Sequence, residues 1–584
     1  MAPEQRHPRQ ITGVRRRDVL GSLGCAGAAA LAGCTVNIES GRSRVDDLTE
    51  QDLTGVSWTD VDLRDARAVG VNLSEATLSN VDLSGSDLTD ATFEEAELSK
   101  VRLDGATLSM AEFSRAELTD VSFVGATLEA GDLTDASIQN TDMNGSTLTG
   151  SDFEGARLQK VDLGESDLDD VSMRDTTIET VNLAEADGER VDLTDASVCD
   201  AGGRRAILRR LDCSQARIDE SDFSGMDAEA GRFEEATLTN LHLHDANLHG
   251  ADFTAASVET ADLSATDLVE ATMSHATLKR VDLKGTDCTG ATFDGVTIAS
   301  SNAHEAVFSD VMLSESTLDT VELTDAVCTD VDLSESTLDR VVADGSTMDG
   351  VDFTGTTAVD SCFVEADLSG SVFVGADFER NDVTGTDLSG SRLHDSSLAD
   401  IDGDHIDITD IEFVEVDLSG ASLRAITGEN AVIEGSALVE ADLWKGTFPN
   451  ATFRNVDMSG AIAEGAMFEE ATFEHVELPD VIAGRTTFEH ATLAGVTAAN
   501  SELWRASFAD ARLEDVDFTE IEAYALNLSG AQLVDVDFSN AWLRDASFEG
   551  ATVTRSTFSN VDMLGSTWVD GSVCESDRCR GLIE

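Results

Sequence analysis

Residues Gln51 to Lys100 read QDLTG VSWTD VDLRD ARAVG VNLSE ATLSN VDLSG SDLTD ATFEE AELSK when cut into fives. The third letter is nearly always Leu, Phe, Met, Ile or Val. The first is mostly Ala, Val, Ser or Thr, the second is often Asp, and the last two are mostly Ser, Thr, Asp, Glu or Gly. This phase holds from about Asp46 to Glu575, and all 24 Phe, from Phe93 to Phe558, fall on the third letter. A period of five fits neither the turn of an α-helix nor the alternation of a half-buried strand. Where the chain is extended, letters one and three share a face and can point inward together. Letters four and five must then turn a corner, where Gly and small polar residues serve. Each word is one side of a coil.

These words resemble the A(D/N)LXX pattern of the pentapeptide-repeat family, over about nine tenths of the chain. The resemblance implies an all-β fold, a right-handed quadrilateral parallel β-helix with four words and 20 residues per coil. Residues 46–575 then make about 26 coils, and at roughly 4.8 Å per coil a rod of about 125 Å. The interior of such a solenoid is a stack of third letters, each coil touching only its neighbours. Each buried Leu or Phe contributes roughly 1.5–3 kcal/mol before entropy is subtracted. Gly203, Ala303, Ala343, Gly403, Ala463, Ala483 and Ala523 are small third letters spaced by multiples of the coil, hence on one side. Either larger neighbours compensate for them or that side is indented.

The N-terminus differs in kind. Arg16 and Arg17, in RRDVL, resemble a twin-arginine export signal spanning residues 1–33, and Leu31-Ala32-Gly33-Cys34 resembles a lipobox. By that resemblance Cys34 is lipidated, and residues 34–45 link a membrane anchor to the repeat. Two acyl chains on one cysteine would hold stably where one would not. The apolar run before Cys34 is short and Gly/Ala-rich for a membrane span. The expected location is outside the cell, on the outer face of the cytoplasmic membrane.

The chain carries 114 acidic and 38 basic residues, a net charge of −76. The acids fall on outward letters of every side, a surface that resembles proteins of extremely halophilic archaea. Such self-repulsion opposes the compact state in dilute buffer, and molar salt screens it. Direct nucleic-acid binding needs a basic footprint and is not expected. The family resemblance offers another reading, a DNA-mimicking regulator of a type II topoisomerase, since gyrase-binding members present an acidic DNA-like rod. The export signal and the spread of acids over all sides weigh against it here.

No catalytic, cofactor-binding or metal-binding constellation stands out. Paired carboxylates occur everywhere and discriminate nothing. His242, His244 and His249 cluster in LHLHDANLHG on outward letters; they read as solvated histidines more readily than as a metal site. Cys213, Cys288 and Cys328 are third letters and read as small buried residues. Cys574 and Cys579 flank the start of the tail, residues 576–584, and could form a disulfide that staples the last coil, or remain two free thiols.

Two surface anomalies remain. Arg204, Arg205, Arg209 and Arg210 form a basic spot in an acidic surround, by local salt bridging or as a docking point for an anionic partner. Trp444, Trp504 and Tyr524 are fourth letters spaced by multiples of 20, so they fall in one outward column. Ile462, Ile482, Trp542 and Arg505 lie on the same side. Outward aromatics beside Arg resemble an interface core, although scattered surface aromatics are also common. The expected function is that of a non-enzymatic, lipid-anchored extracellular spacer or protein-interaction scaffold. Its partner is an unidentified protein or a second copy of the chain.

Overall fold

The computed structural model describes residues 10–12 and 47–575. Among them every regular element is a short strand of three or six residues. The chain comprises two compact units, residues 1–291 and 292–584. In the first, Asp52, Ser57, Asp62 and Arg67 pair in parallel with Asn72, Thr77, Asp82 and Asp87. These are the second letters of four successive words, so the coil has four sides and 20 residues. The second unit repeats the arrangement, with Val372, Asp377, Asp382 and Asp387 paired to Arg392, Ser397, Asp402 and Asp407. At 20 residues per coil, residues 47–291 make about 12 coils and residues 292–575 about 14. The strand Gln10–Thr12, within the segment read as an export leader, pairs in parallel with Ser57–Thr59 on the first coil.

One turn recurs at many corners. The N–H of the next word's first letter donates to the third-letter carbonyl, as Ala506 does to Leu503 at 3.0 Å. The fifth letter then takes a left-handed backbone, with φ of 59° at Arg505 and 56° at Asp510. Turns that need positive φ at this position favour Gly and Asn. Asp, Glu and Arg stand at many of these corners nonetheless. They are held by the ladder, because each fifth-letter N–H donates to the fourth-letter carbonyl of the following coil.

The second-letter Asp has a role that composition does not reveal. Asp132 and Asp252 each accept the N–H two residues on, both at 2.9 Å, and the hydroxyls of Thr134 and Thr254 at 2.7 and 2.6 Å. This side-chain bond fixes the entry to the corner. First-letter Ser and Thr make a second staple. Ser371 Oγ donates to the Met348 carbonyl at 3.1 Å and accepts the Val351 N–H at 3.1 Å.

Inside, third letters stack coil on coil. Phe448, Phe468, Phe488 and Phe508 form one column, their ring centroids 5.1, 5.1 and 4.6 Å apart. Offset stacking of this kind adds to the gain from burial. Two of the small third letters are compensated: the Phe223 ring fills the place of a Gly203 side chain, and Ile406 with Leu423 closes on Gly403, whereas Ala463 and Ala483 line a small internal cavity. A wholly apolar internal cavity of about 30 Å³ remains in the first unit, lined by Leu168, Leu193, Leu208 and Phe223 among others.

The carboxylate bonds carry a pH signature. Asp52 lies below the usual carboxylate range because the Thr54 hydroxyl and N–H donate to it. Asp219 is lowered by the Thr239 hydroxyl and the Asn240 amide. A carboxyl whose pKa is lower folded than unfolded stabilises above its unfolded value, about 3.9. That contribution disappears as pH falls through the folded value. Asp52→Ala and Asp219→Ala should therefore lower the melting temperature at neutral pH, with the difference from wild type closing below about pH 4. Thermal melts across pH check this; a difference that persists at pH 2 contradicts it.

Candidate interaction surface

The aromatic column is real but is not continuous. Backbone bonds from Lys445 to Glu464, Gly465 to Gly484, Arg485 to Trp504 and Arg505 to Tyr524 run at 3.1, 2.9, 2.8 and 2.7 Å. The fourth letters therefore follow in the order Trp444, Glu464, Gly484, Trp504, Tyr524. On the adjoining side the order is Asp442, Ile462, Ile482, Glu502, Glu522, Trp542. Ile462 and Ile482 are half-buried neighbours, whereas two glutamates separate Trp542 from them.

Trp444, Tyr524 and Trp542 are exposed, at 39%, 50% and 63%. Trp504 departs from the expectation of an outward ring. It is half-buried, and its indole lies across Gly484, filling the place a side chain there would take. Gly484 itself is buried. The sequence carried the signal: a glycine one coil before a tryptophan on the same letter.

The cations of this corner are held in an unusual way. Lys445 Nζ stands 4.0 Å from the centre of the Trp444 ring, and the Arg485 guanidinium 5.0 Å from that of Trp504. Both are cation–π distances. Among the described residues Lys445 and Arg505 make no ion pair, and Arg485 has only Glu464, at 3.8 Å. At the two ends of the corner Arg424 and Arg544 are neutralised by Asp442 and Asp562, at 2.7 and 2.8 Å.

The basic spot is different. Arg204 pairs with Asp222, Arg209 with Asp227 and Arg210 with Glu189, at 2.7, 2.8 and 2.7 Å. Of these four arginines only Arg205 lacks an ion pair among the described residues, so most of the spot's charge is answered locally. Exposed pairs of this kind add little stability.

The three histidines do not converge. His244 contacts Asp245 at 3.0 Å and the Ser264 hydroxyl at 2.9 Å, and His249 approaches Glu270 at 3.9 Å. Cys213, Cys288 and Cys328 are buried, and Cys199 and Cys362 half-buried. Burial pushes the Cys328 thiol up to about 12, and burial with the Asp344 contact pushes Cys362 up to about 11. These thiols stay protonated and unreactive. Cys574 is disulfide-bonded. Cys579, with Cys34, Arg16 and Arg17, lies outside the described residues.

Four-sided coils, a 20-residue ladder and a stacked apolar interior define a parallel β-solenoid of five-residue repeats. The chain belongs to the pentapeptide repeat family. The family's pentapeptide repeats match in stretches from residue 47 to 170, 232 to 298, 322 to 399 with a short break, and 436 to 474. A second description, a pentapeptide repeat region, matches residues 491–568. A pentapeptide repeat protein of the Arabidopsis thaliana thylakoid lumen is 35% identical over 17% of this chain and 68% of its own, with a TM-score of 0.16. HetL, a pentapeptide repeat protein involved in heterocyst differentiation regulation in the cyanobacterium Nostoc, is 20% identical over 42% of this chain and 92% of its own, with a TM-score of 0.14. QnrB1, a plasmid-mediated fluoroquinolone resistance protein, is 16% identical over 35% of this chain and 92% of its own, with a TM-score of 0.18. No curated protein matches the chain.

The seating of Trp504 on Gly484 is directly testable. Gly484 does not need positive φ, so Gly484→Val keeps the backbone while expelling the indole. Tryptophan emission should shift to the red in Gly484→Val, and the shift should vanish in the Trp504→Phe background. An unchanged spectrum contradicts the packing.

Proposed function

We propose that the chain is a non-enzymatic solenoid scaffold, anchored through a lipid on Cys34 to the outer face of the cytoplasmic membrane. It serves there as a spacer or an interaction platform. The observation that carries this reading is the ladder within each unit, in which, among the described residues, coil follows coil without an inserted loop. Its outward letters display a surface, and the corner from Trp444 to Tyr524 is where that surface departs from an acidic coat. The RRDVL and LAGC stretches support export and lipidation.

The anchor is tested by fractionation. The wild-type chain should partition with membranes and be reached by protease added to intact cells, and Cys34→Ser should release it. Retention of Cys34→Ser on the membrane, or protection of the wild type inside the cell, sinks the reading.

The acidic surface supports folding at high salt. Acids stand one coil apart in ladders such as Asp367, Asp387 and Asp407, roughly 4.8 Å per step. Like charges at this spacing repel, and at about 1 M salt the Debye length is only about 3 Å. Circular dichroism should show the β signal lost on dialysis into dilute buffer and regained in molar salt. A full native spectrum in dilute buffer contradicts this.

A further inference from the structure

We infer that the corner from Trp444 to Tyr524 is a binding strip for an anionic polysaccharide, one bearing uronate or sulfate groups. The inference deepens the interaction reading of this surface and does not depend on the anchor at Cys34.

Charge gives the first argument. The net charge of the chain is −76, and most of the described arginines sit against Asp or Glu, as Arg190 does against Asp170 at 2.7 Å. At this corner the chain holds its cations over indole faces instead. Lys445 rests over Trp444 and Arg485 over Trp504. A ring fixes a cation in place without cancelling its charge. Lys445 and Arg505 have no ion pair among the described residues, and on the fourth and fifth letters of this one corner, from Trp444 to Ala525, Glu464 is the one acid, with Glu502 and Glu522 on the adjoining second letters. The result is a short row of three cations, Lys445, Arg485 and Arg505, broken on its own letters only by Glu464, that can meet carboxylate or sulfate.

Shape gives the second. Trp444 to Tyr524 covers four coil steps, roughly 19 Å, and is one turn wide. Such a strip falls far below the ~800 Å² per partner of a stable protein interface. It suits a single extended chain lying along the ladder. The strip is a row of turns, and the cavities lined by Ile408 and Phe448 and by Phe468 and Phe508 are internal and apolar.

Periodicity gives the third. Arg485 and Arg505 are successive fifth letters, and Trp504 and Tyr524 successive fourth letters. A polymer that repeats an acidic group can meet the arginine series, while Trp504, with Gly484 beneath it and Arg485 over it, serves to hold that charge. Tyr524, half exposed, offers its ring to a sugar's C–H face. Single-stranded nucleic acid also pairs stacking with phosphate contacts. Its phosphate density makes it the polymer most strongly repelled by the flanking acidic ladders.

The test uses the purified full chain at about 1 M and about 3 M salt, titrated with polygalacturonate, dextran and oligo(dT) while tryptophan emission is followed. The expected result is saturable binding of polygalacturonate, weaker at the higher salt, with no response to dextran and a weaker one to oligo(dT). Lys445→Gln/Arg485→Gln/Arg505→Gln should weaken binding by about tenfold or more with an unchanged circular dichroism spectrum. Arg204→Gln/Arg209→Gln, which removes neutralised cations elsewhere, should leave binding intact. Equal binding of dextran, tighter binding of oligo(dT), absence of polygalacturonate binding, or indifference to the triple substitution would each overturn the proposal. So would light scattering that shows the triple substitution abolishing only self-association.

Discussion

A hydrogen bond from a first-letter N–H back to the third-letter carbonyl three residues before it, as from Ala506 to Leu503, closes many corners of both units, and at others a serine hydroxyl one coil on takes that N–H, as Ser371 does for Val351. The fifth letter takes a left-handed backbone at these corners and at those closed otherwise, as at Asp510 and at Asn80. Most L-residues resist that conformation. The ladder compensates, because the same residue's N–H bonds to the next coil. The corner sets the four sides in register, and the register holds the strained residue. A shift of one residue would turn every Phe and Leu outward, so the interior and the corners specify the same phase. This mutual dependence explains how strands of three residues, individually negligible, make a structure.

The Asp and Ser/Thr of the repeat belong to the same economy of backbone groups. Second-letter Asp accepts the N–H that enters the corner, and first-letter hydroxyls accept N–H groups that the narrow coil would leave unpaired. Buried hydroxyls are tolerated because they are bonded. Among the described residues only two buried side-chain oxygens, on Thr49 and Ser146, lack a partner. An outward acid is therefore doing two things where it sits on the second letter: it caps its own corner and adds to a like-charged ladder. Salt relieves the second effect without removing the first, since a contact under 3 Å is barely screened.

The period was legible because it is rigid. Once Phe93 and Phe558 share a phase, the inward letters, the corners and the 20-residue columns follow, and the pairings at Ser57, Asp62 and Arg67 fall where the columns put them. What stayed hidden are relations between letters of different kinds. Asp132 looks like surface charge until its carboxylate is seen on the Thr134 N–H. Ser371 looks like a small core residue until its hydroxyl is seen bridging coils. Trp504 looked free because its own word is ordinary; the decisive residue, Gly484, lies one coil earlier. The basic spot was legible as composition but not as charge, since neutralisation of Arg204, Arg209 and Arg210 depends on acids 18 to 21 residues away.

That contrast between two arginine-bearing surfaces bears on how such a solenoid acquires specificity. With one backbone throughout, a coil can differ from the next only in what its outward letters hold. An arginine placed over an aspartate one coil away adds a local bond and leaves the surface as acidic or neutral as before. An arginine placed over a tryptophan keeps its charge, and the tryptophan in turn needs a glycine beneath it to lie flat. Gly484, Trp504 and Arg485 thus form one unit across two coils. The loss of any one member would release the others: without the glycine the ring lifts, and without the ring the guanidinium turns to Glu464, its neighbour at 3.8 Å. A recognition feature is therefore built into a uniform repeat by a change at three outward letters, with the interior column of Phe488 and Phe508 beneath it undisturbed.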